Sequence, residues 1–152
     1  MIHNIITMKN IFFFVKVFTI YLLLVINNVS SQAGSFEEGK LLFEKKKFDK
    51  SKIFFERDIV FNPRSEESYL YLAKIFNLKE EEKEEEINLK NVILLNPLNE
   101  EAIYMLTILK IKQSNYSNAK ELIERFKLVC KNICSRKKEL EKKFIKLVPI
   151  NE

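Results

Sequence analysis

The chain is 152 residues long, carries a formal charge of +5, and contains 13 Phe but only 2 Gly and 3 Pro. So few turn-forming residues exclude a sheet protein with many tight turns, and the length gives room for one domain with a modest core, not two. The basic balance is too slight to imply nucleic acid, and part of it reads as the codon bias of an AT-rich genome that favours Lys, Asn, Ile and Phe.

Residues 1–33 stand apart from the rest. Ile11 to Ile26 (IFFFVKVFTIYLLLVI) is an apolar run broken once, by Lys16. In the following NNVSSQAGS, Ser31 and Ala33 form the small-x-small pattern of a cut before Gly34. The expectation is an export signal beginning at Met1 or Met8, which places the mature protein in the periplasm or outside the cell. The alternative is an uncleaved anchor at the inner membrane through residues 11–26, a run somewhat short of the ~20 residues that span a bilayer comfortably. No Cys follows the run, so the acylated cysteine of a bacterial lipoprotein is not on offer. Removing the segment takes Lys9 and Lys16 with it and brings the charge from +5 to +3.

From residue 34 onward the apolar periodicity predicts an all-α chain of seven helices, at about 35–46, 48–61, 65–77, 80–95, 99–113, 116–131 and 133–148, and a tail at 149–152. Two of the boundaries carry nearly the same phrase: IVFNPRSEESYLYLA from Ile59 and ILLNPLNEEAIYMLT from Ile93. Asn-Pro stops a helix, because the residue before Pro is pushed out of the α region and Pro cannot donate a backbone hydrogen bond. Ser65 or Asn99 then stands where a cap is needed, with Glu66 and Glu67, or Glu100 and Glu101, in a first turn whose dipole favours acids. The step from Pro63 to Pro97 matches the period of a stacked helix-turn-helix unit, about 34 residues.

Other positions fall into the same register. Counting back from Pro97, Tyr69, Leu72, Ala73, Phe76 and Leu89 take aromatic, large, small, aromatic and large positions; counting back from Pro63, Gly39, Leu42, Phe48, Ser51 and Phe55 do likewise. A third unit offers Ile103, Leu106, Tyr116, Ala119 and Ile123. Tyr69, Leu72, Ala73 and Phe76 share one helical face, and the small residues Gly39, Ala73 and Ala119 let neighbouring helices approach. On these residues the chain resembles the tetratricopeptide-repeat family over about residues 35–131. The units run at about 35–64, 65–98 and 99–131, inside a domain of residues 34–148 closed by a capping helix at 133–148 with Ile133, Leu140, Phe144 and Leu147 on one face. Departures are Glu38 for Leu, Glu85 for a small residue, Lys110 for an aromatic and Lys131 for Pro; Glu85 leaves the packing of its helix unexplained, and Lys131 marks the end of the array.

The resemblance implies a short solenoid whose first helices line a concave groove and serve as a noncatalytic interaction module, and with the export segment the expectation is a scaffold for a protein complex of the cell envelope. Groove positions are Phe36, Lys40 and Phe43, then Leu70, Tyr71, Lys74 and Asn77, then Tyr104, Ile108 and Lys112. Aromatic anchors interleaved with Lys suit an extended or helical peptide carrying carboxylates. The competing expectation is that these residues pack against the cap or a second copy of the protein, as in a membrane-anchored structural subunit.

Remaining features read more plainly. The acidic run Leu78–Lys90 fits an exposed helix start, with Lys83 within reach of Glu80 and Glu86, and has neither the alternating Asp/Asn nor the central Gly of a calcium loop. Cys130 and Cys134 offer a disulfide between the last unit and the cap; free buried thiols are the other reading, while redox or zinc chemistry would need a Cys-x-x-Cys or neighbouring His. His3 is the only histidine, which leaves the common catalytic arrangements without a base, so neither an enzyme nor a cofactor nor a metal is expected. The basic stretch from Lys131 to Lys146 reads as the solvated face of a cap, with an anionic surface as the other reading. The sequon Asn115-Tyr116-Ser117 falls at a helix-helix turn and reads as chance.

Overall fold

The structure, a computed structural model, describes residues 15–21 and 34–147. The choice between Met1 and Met8, the Ser31-x-Ala33 pattern and the tail at 149–152 lie outside the described residues. Residues 15–21 are helical with exposed side chains, and among the described residues no helix is long and apolar enough to cross a membrane.

Residues 34–147 form α1 (Ser35–Glu44), α2 (Phe48–Phe61), α3 (Glu66–Leu78), α4 (Glu82–Leu95), α5 (Glu100–Lys112) and α6 (Tyr116–Val129), then a 3₁₀ turn (Cys134–Arg136) leading into α7 (Lys137–Leu147). No strand occurs among the described residues. Helices pair as α1/α2, α3/α4 and α5/α6, each pair leans on the next through α2/α3 and α4/α5, and α7 rests on α5 and α6. The result is an all-α solenoid of three hairpins and a lone closing helix. That helix starts one turn later than its periodicity suggested, since the chain turns through Cys134–Arg136 first.

The hairpin turns explain how a chain with so little glycine reverses direction. Lys47 N–H donates to Leu42 O and Lys46 N–H to Phe43 O, each at 2.9 Å, and the same pair of bonds recurs at Glu81/Phe76 with Glu80/Asn77 and at Asn115/Lys110 with Ser114/Ile111. This is the helix-ending pattern that needs a left-handed residue. Lys46, Glu80 and Ser114, each one period after the last, supply it with φ of 56°, 60° and 56°. That conformation costs a side chain about 1–2 kcal/mol and glycine next to nothing. Lys46→Gly, Glu80→Gly and Ser114→Gly should therefore each raise the unfolding free energy measured in urea, by roughly 1 kcal/mol apiece; unmoved values would show the turns to be unstrained.

The core follows the register of the repeat. Phe55, Leu72, Ile75 and Phe76 fill the first junction; Ala73, Leu89, Val92, Ala102, Leu106 and Leu109 the second; Ile103, Tyr104, Ile123, Phe126 and Leu140 the third. Leu140 stands one period after Leu106, so α7 continues the pattern as an unpaired first helix. Leu147, expected on its packed face, is half exposed at the helix end. Phe55 is fully buried against Gly39, where an added Cβ would come within 2.9 Å of the ring.

At the boundaries, Asn99 caps α5 by accepting from Ala102 N–H at 2.8 Å. Ser65 does not cap α3; its hydroxyl donates to Ser68, which in turn donates to Asp58. Asn115 of the sequon caps α6, accepting from Asn118 N–H. Glu66 and Glu100 do more than sit in a first turn. Glu66 accepts from the side-chain amides of Asn96 and Asn99, and Glu100 accepts from the backbone N–H groups of Lys131, Asn132 and Ile133. Those bonds, led by that from Lys131, hold the Glu100 carboxyl below its ordinary range. Each glutamate thus grips the boundary one unit ahead.

Glu85 occupies a place meant for a small residue and is 2% exposed. Asn77 Nδ2 donates to it at 3.0 Å, which only partly offsets the burial that pushes its pKa up. Its neighbour Glu86 is ion-paired at 2.6 Å with both Lys110 and Lys90, in place of the expected Lys83, and is lowered to about 2, chiefly by Lys110. Lys110 fits at an aromatic's position, 7% exposed, because Glu86 meets its ammonium. The two shifts act in opposite senses. Raised in the fold, Glu85 favours folding below its unfolded value near 4.5 and loses that contribution as pH rises through its folded pKa. Lowered in the fold, Glu86 contributes above 4.5 and loses its contribution as pH falls toward about 2. Glu85→Gln should stabilise the protein near neutral pH and do little in acid. Glu86→Gln should destabilise it near neutrality only. Urea melts at both pH values check the pair, and equal effects at both would remove titration as the cause.

Candidate functional site

The first helices α1, α3 and α5 and the 3₁₀ turn enclose a groove of about 450 Å³, lined by Phe43, Lys74, Asn77, Leu78, Glu101, Tyr104, Met105 and Arg136. Phe43, Leu78 and Met105 supply apolar surface, and Lys74, Asn77, Glu101 and Arg136 its polar edge. Among the described residues no cluster of His, Cys, Asp or Glu has the arrangement of a metal site.

Four of the sequence-derived groove residues come together here: Phe43, Lys74, Asn77 and Tyr104. Others are drawn inward. Tyr71 stacks on Phe55 with ring centroids 4.8 Å apart and meets Phe36 and Phe43 edge-on, so Phe36, Phe43, Phe55 and Tyr71 form one aromatic cluster. Burial raises the Tyr71 pKa, opposed by the nearby Lys40 charge. Leu70 packs against the second core cluster and Ile108 against the third, both half-buried, and neither lines the groove. Lys40 is half-buried and outside the lining, and Lys112 projects to an ion pair with Glu82 at 2.9 Å. The first helices are packed over more of their circumference than a single stripe, because each touches its own hairpin partner and also a neighbouring unit.

The polar groups of the groove are already organised. Lys74 Nζ lies 3.0 Å from Glu101 and 5.2 Å from the Tyr71 ring centre. Asn77 uses its Nδ2 on Glu85 and keeps its exposed carbonyl. Tyr104, only 9% exposed, donates its hydroxyl to Glu139 of α7 at 3.0 Å. Burial and that acceptor raise its pKa, burial most, while Lys143 and then Tyr104 lower that of Glu139. The Arg136 guanidinium sits 4.5 Å from the Tyr104 ring centre, at the groove's far wall, and is exposed. Cys130 and Cys134 are disulfide-bonded, with Cα atoms 5.2 Å apart, and the bond closes the short loop that delivers Arg136.

Leu78, Glu101, Met105 and Arg136 were missed from the sequence. Met105 and Glu101 stand one period after Tyr71 and Glu67, so the register alone contained them. Arg136 had no such signal: its equivalents Ser68 and Ala102 are buried, and only the 3₁₀ turn swings it outward.

Solved structures share this architecture. The tetratricopeptide-repeat (TPR) domain of Arabidopsis OM64 superposes with a TM-score of 0.70 at 17% identity, over 80% of this chain and 99% of that one. The first TPR domain of Spaghetti (RPAP3), bound to the HSP90 peptide SRMEEVD, gives 0.68 at 17% identity over 76% and 92%. The TPR2B domain of yeast Sti1, in a pHsp70 complex, gives 0.66 at 18% identity over 76% and 94%. The chain therefore has the TPR fold. No family model and no curated protein matches the sequence.

Proposed function

We propose that the protein is a noncatalytic interaction module that holds a peptide segment of a partner protein in the groove between α1, α3 and α5. The observation that carries this reading is the pairing of an apolar wall, exposed Leu78 with half-buried Met105 and Phe43, with exposed Arg136 and Asn77 on the same groove. Apolar surface supplies affinity, while the cation and the amide fix register on an acidic, extended segment. Lys74 is a weaker partner for a carboxylate than the sequence implied, since Glu101 already holds it. The fold of the Spaghetti domain, which holds the acidic peptide SRMEEVD, is consistent with such a ligand.

The location proposed for this work is the cell envelope, supported by the apolar run Ile11–Ile26 and the Ser31-x-Ala33 pattern. Gel mobility of the cellular protein decides between a cleaved form about 33 residues shorter and full length in the membrane fraction. The test of the groove is a peptide-display library panned against the full chain, with selected peptides titrated against wild type and Arg136→Glu. Acidic consensus peptides whose Kd rises tenfold or more in the variant, about 1.4 kcal/mol, support the reading. Peptides that bind both proteins equally would remove the groove as the site.

A further inference from the structure

The outer sides of the second helices carry an apolar stripe that the groove does not use. Val60, Leu94 and Leu128 occupy the same place in successive units, on α2, α4 and α6, and are 73%, 79% and 87% exposed. Two turns back on the same side lie Ile53 and Ile87, about half exposed. Each of these residues points away from the buried stripe of its own helix, such as Ser51 and Phe55 on α2 or Ala119 and Ile123 on α6. A single exposed aliphatic residue is ordinary, but the same exposed position filled three times by aliphatic residues is a surface. Its one interruption is Glu121, equivalent to Ile53 and Ile87.

We propose that this outer stripe rests on the surface of an anionic lipid bilayer. Cations border it: exposed Arg57 lies between Ile53 and Val60, Arg125, which also donates to Pro97 O at 2.7 Å, comes one turn before Leu128, and exposed Lys131 follows just beyond the end of α6. Of the acids flanking the stripe, Glu56 and Glu124 are paired with Lys52 and Lys127 at 3.0 Å, while Glu84, one turn before Ile87 on α4, is exposed. Aliphatic side chains interleaved with cations are the composition of a surface that seats its apolar tips in the headgroup region of anionic lipid. A second copy is a poorer occupant. Five separate side chains on the outside of a solenoid bring far less than the ~800 Å² per partner of a stable interface, whereas a bilayer deforms to meet them. In the uncleaved form the segment before α1 fits the same placement, because only residues 27–34 separate the apolar run from Ser35, a reach of at most about 28 Å.

The chain contains no Trp, so Leu94→Trp and Leu128→Trp each report one point of the stripe, with Leu78→Trp in the groove as the reference. The full chain is mixed with vesicles of neutral and anionic phospholipid whose acyl chains carry bromine near the headgroup. With apolar tips buried about 5–10 Å into the interface, fluorescence at positions 94 and 128 should fall to about half or less, while that at 78 stays constant. Vesicle-bound protein with no quenching at 94 and 128 means that the N-terminal run holds it without the stripe, and overturns the proposal. So does a failure to bind vesicles, or a dimer in sedimentation that Leu94→Glu dissociates, which would assign the stripe to a second copy. Peptide titration of wild type, Leu94→Trp and Leu128→Trp, whose groove is unaltered, reads the groove separately, so either proposal can fail alone.

Discussion

Phe55→Ala is expected to unfold the first unit. The ring is fully buried, stacks on Tyr71, touches Phe36 and fills the notch left by Gly39. Truncating a buried Phe costs about 3–5 kcal/mol, a large share of the roughly 5–15 kcal/mol that holds a typical domain. The second helix α2 would lose its only fully buried large side chain, and with it the hold of α1 on α3. Gly39→Ala pushes a methyl to within 2.9 Å of the same ring and should cost about 1–3 kcal/mol by crowding. The two changes address one volume, so Gly39→Ala should be better tolerated once Phe55 is alanine, and the double variant should lose less than the sum. Urea unfolding of the four proteins measures this. Strict additivity would show that the glycine and the ring do not share a constraint.

Tyr104→Ala should release α7. The ring packs among Ile123, Phe126 and Leu140, its hydroxyl is bonded to Glu139, and Arg136 lies over its face, so one side chain joins the last hairpin to the closing helix and to the groove wall. The loss should be about 3–5 kcal/mol, against about 1 kcal/mol for Tyr104→Phe, which gives up only the hydrogen bond. Limited trypsin digestion distinguishes local from global effects: in Tyr104→Ala, cleavage at Lys137 and Lys138 should precede cleavage elsewhere. Simultaneous loss of all helices would instead show the cap to be inseparable from the stack.

Most of the architecture was legible because it depends on a repeated distance. Ser51, Phe55, Leu72, Ala73, Leu89, Ala119 and Ile123 were placed by the register of the repeat, and all are buried. The helix ends at Asn62 and Asn96 follow from proline chemistry that needs no tertiary knowledge. The groove was less legible. Its residues lie on helices whose exposed arc is set by several neighbours at once, so Tyr71 and Ile108, which looked free on a helical wheel, are half-buried against the aromatic cluster and the third core. Charged residues were harder still. Glu85 and Lys110 break the pattern, and their accommodation depends on Asn77 and Glu86, partners on neighbouring helices that periodicity does not pair with them. Arg136 and the forward reach of Glu66 and Glu100 required knowledge of which boundary lies beside which.

The disulfide occupies a telling place in that boundary chemistry. Asn62 and Glu66, and again Asn96 and Glu100, are the paired positions of the repeated phrase; one period later they are Cys130 and Cys134. Where earlier boundaries present a carboxylate that reaches forward to the next unit, the third has bonded its two positions to each other. No acceptor is left there to grip a following hairpin. This boundary is thus closed by a covalent bond where the earlier ones are closed by hydrogen bonds, and restoring Asn and Glu at 130 and 134 would return to it the carboxylate the others use.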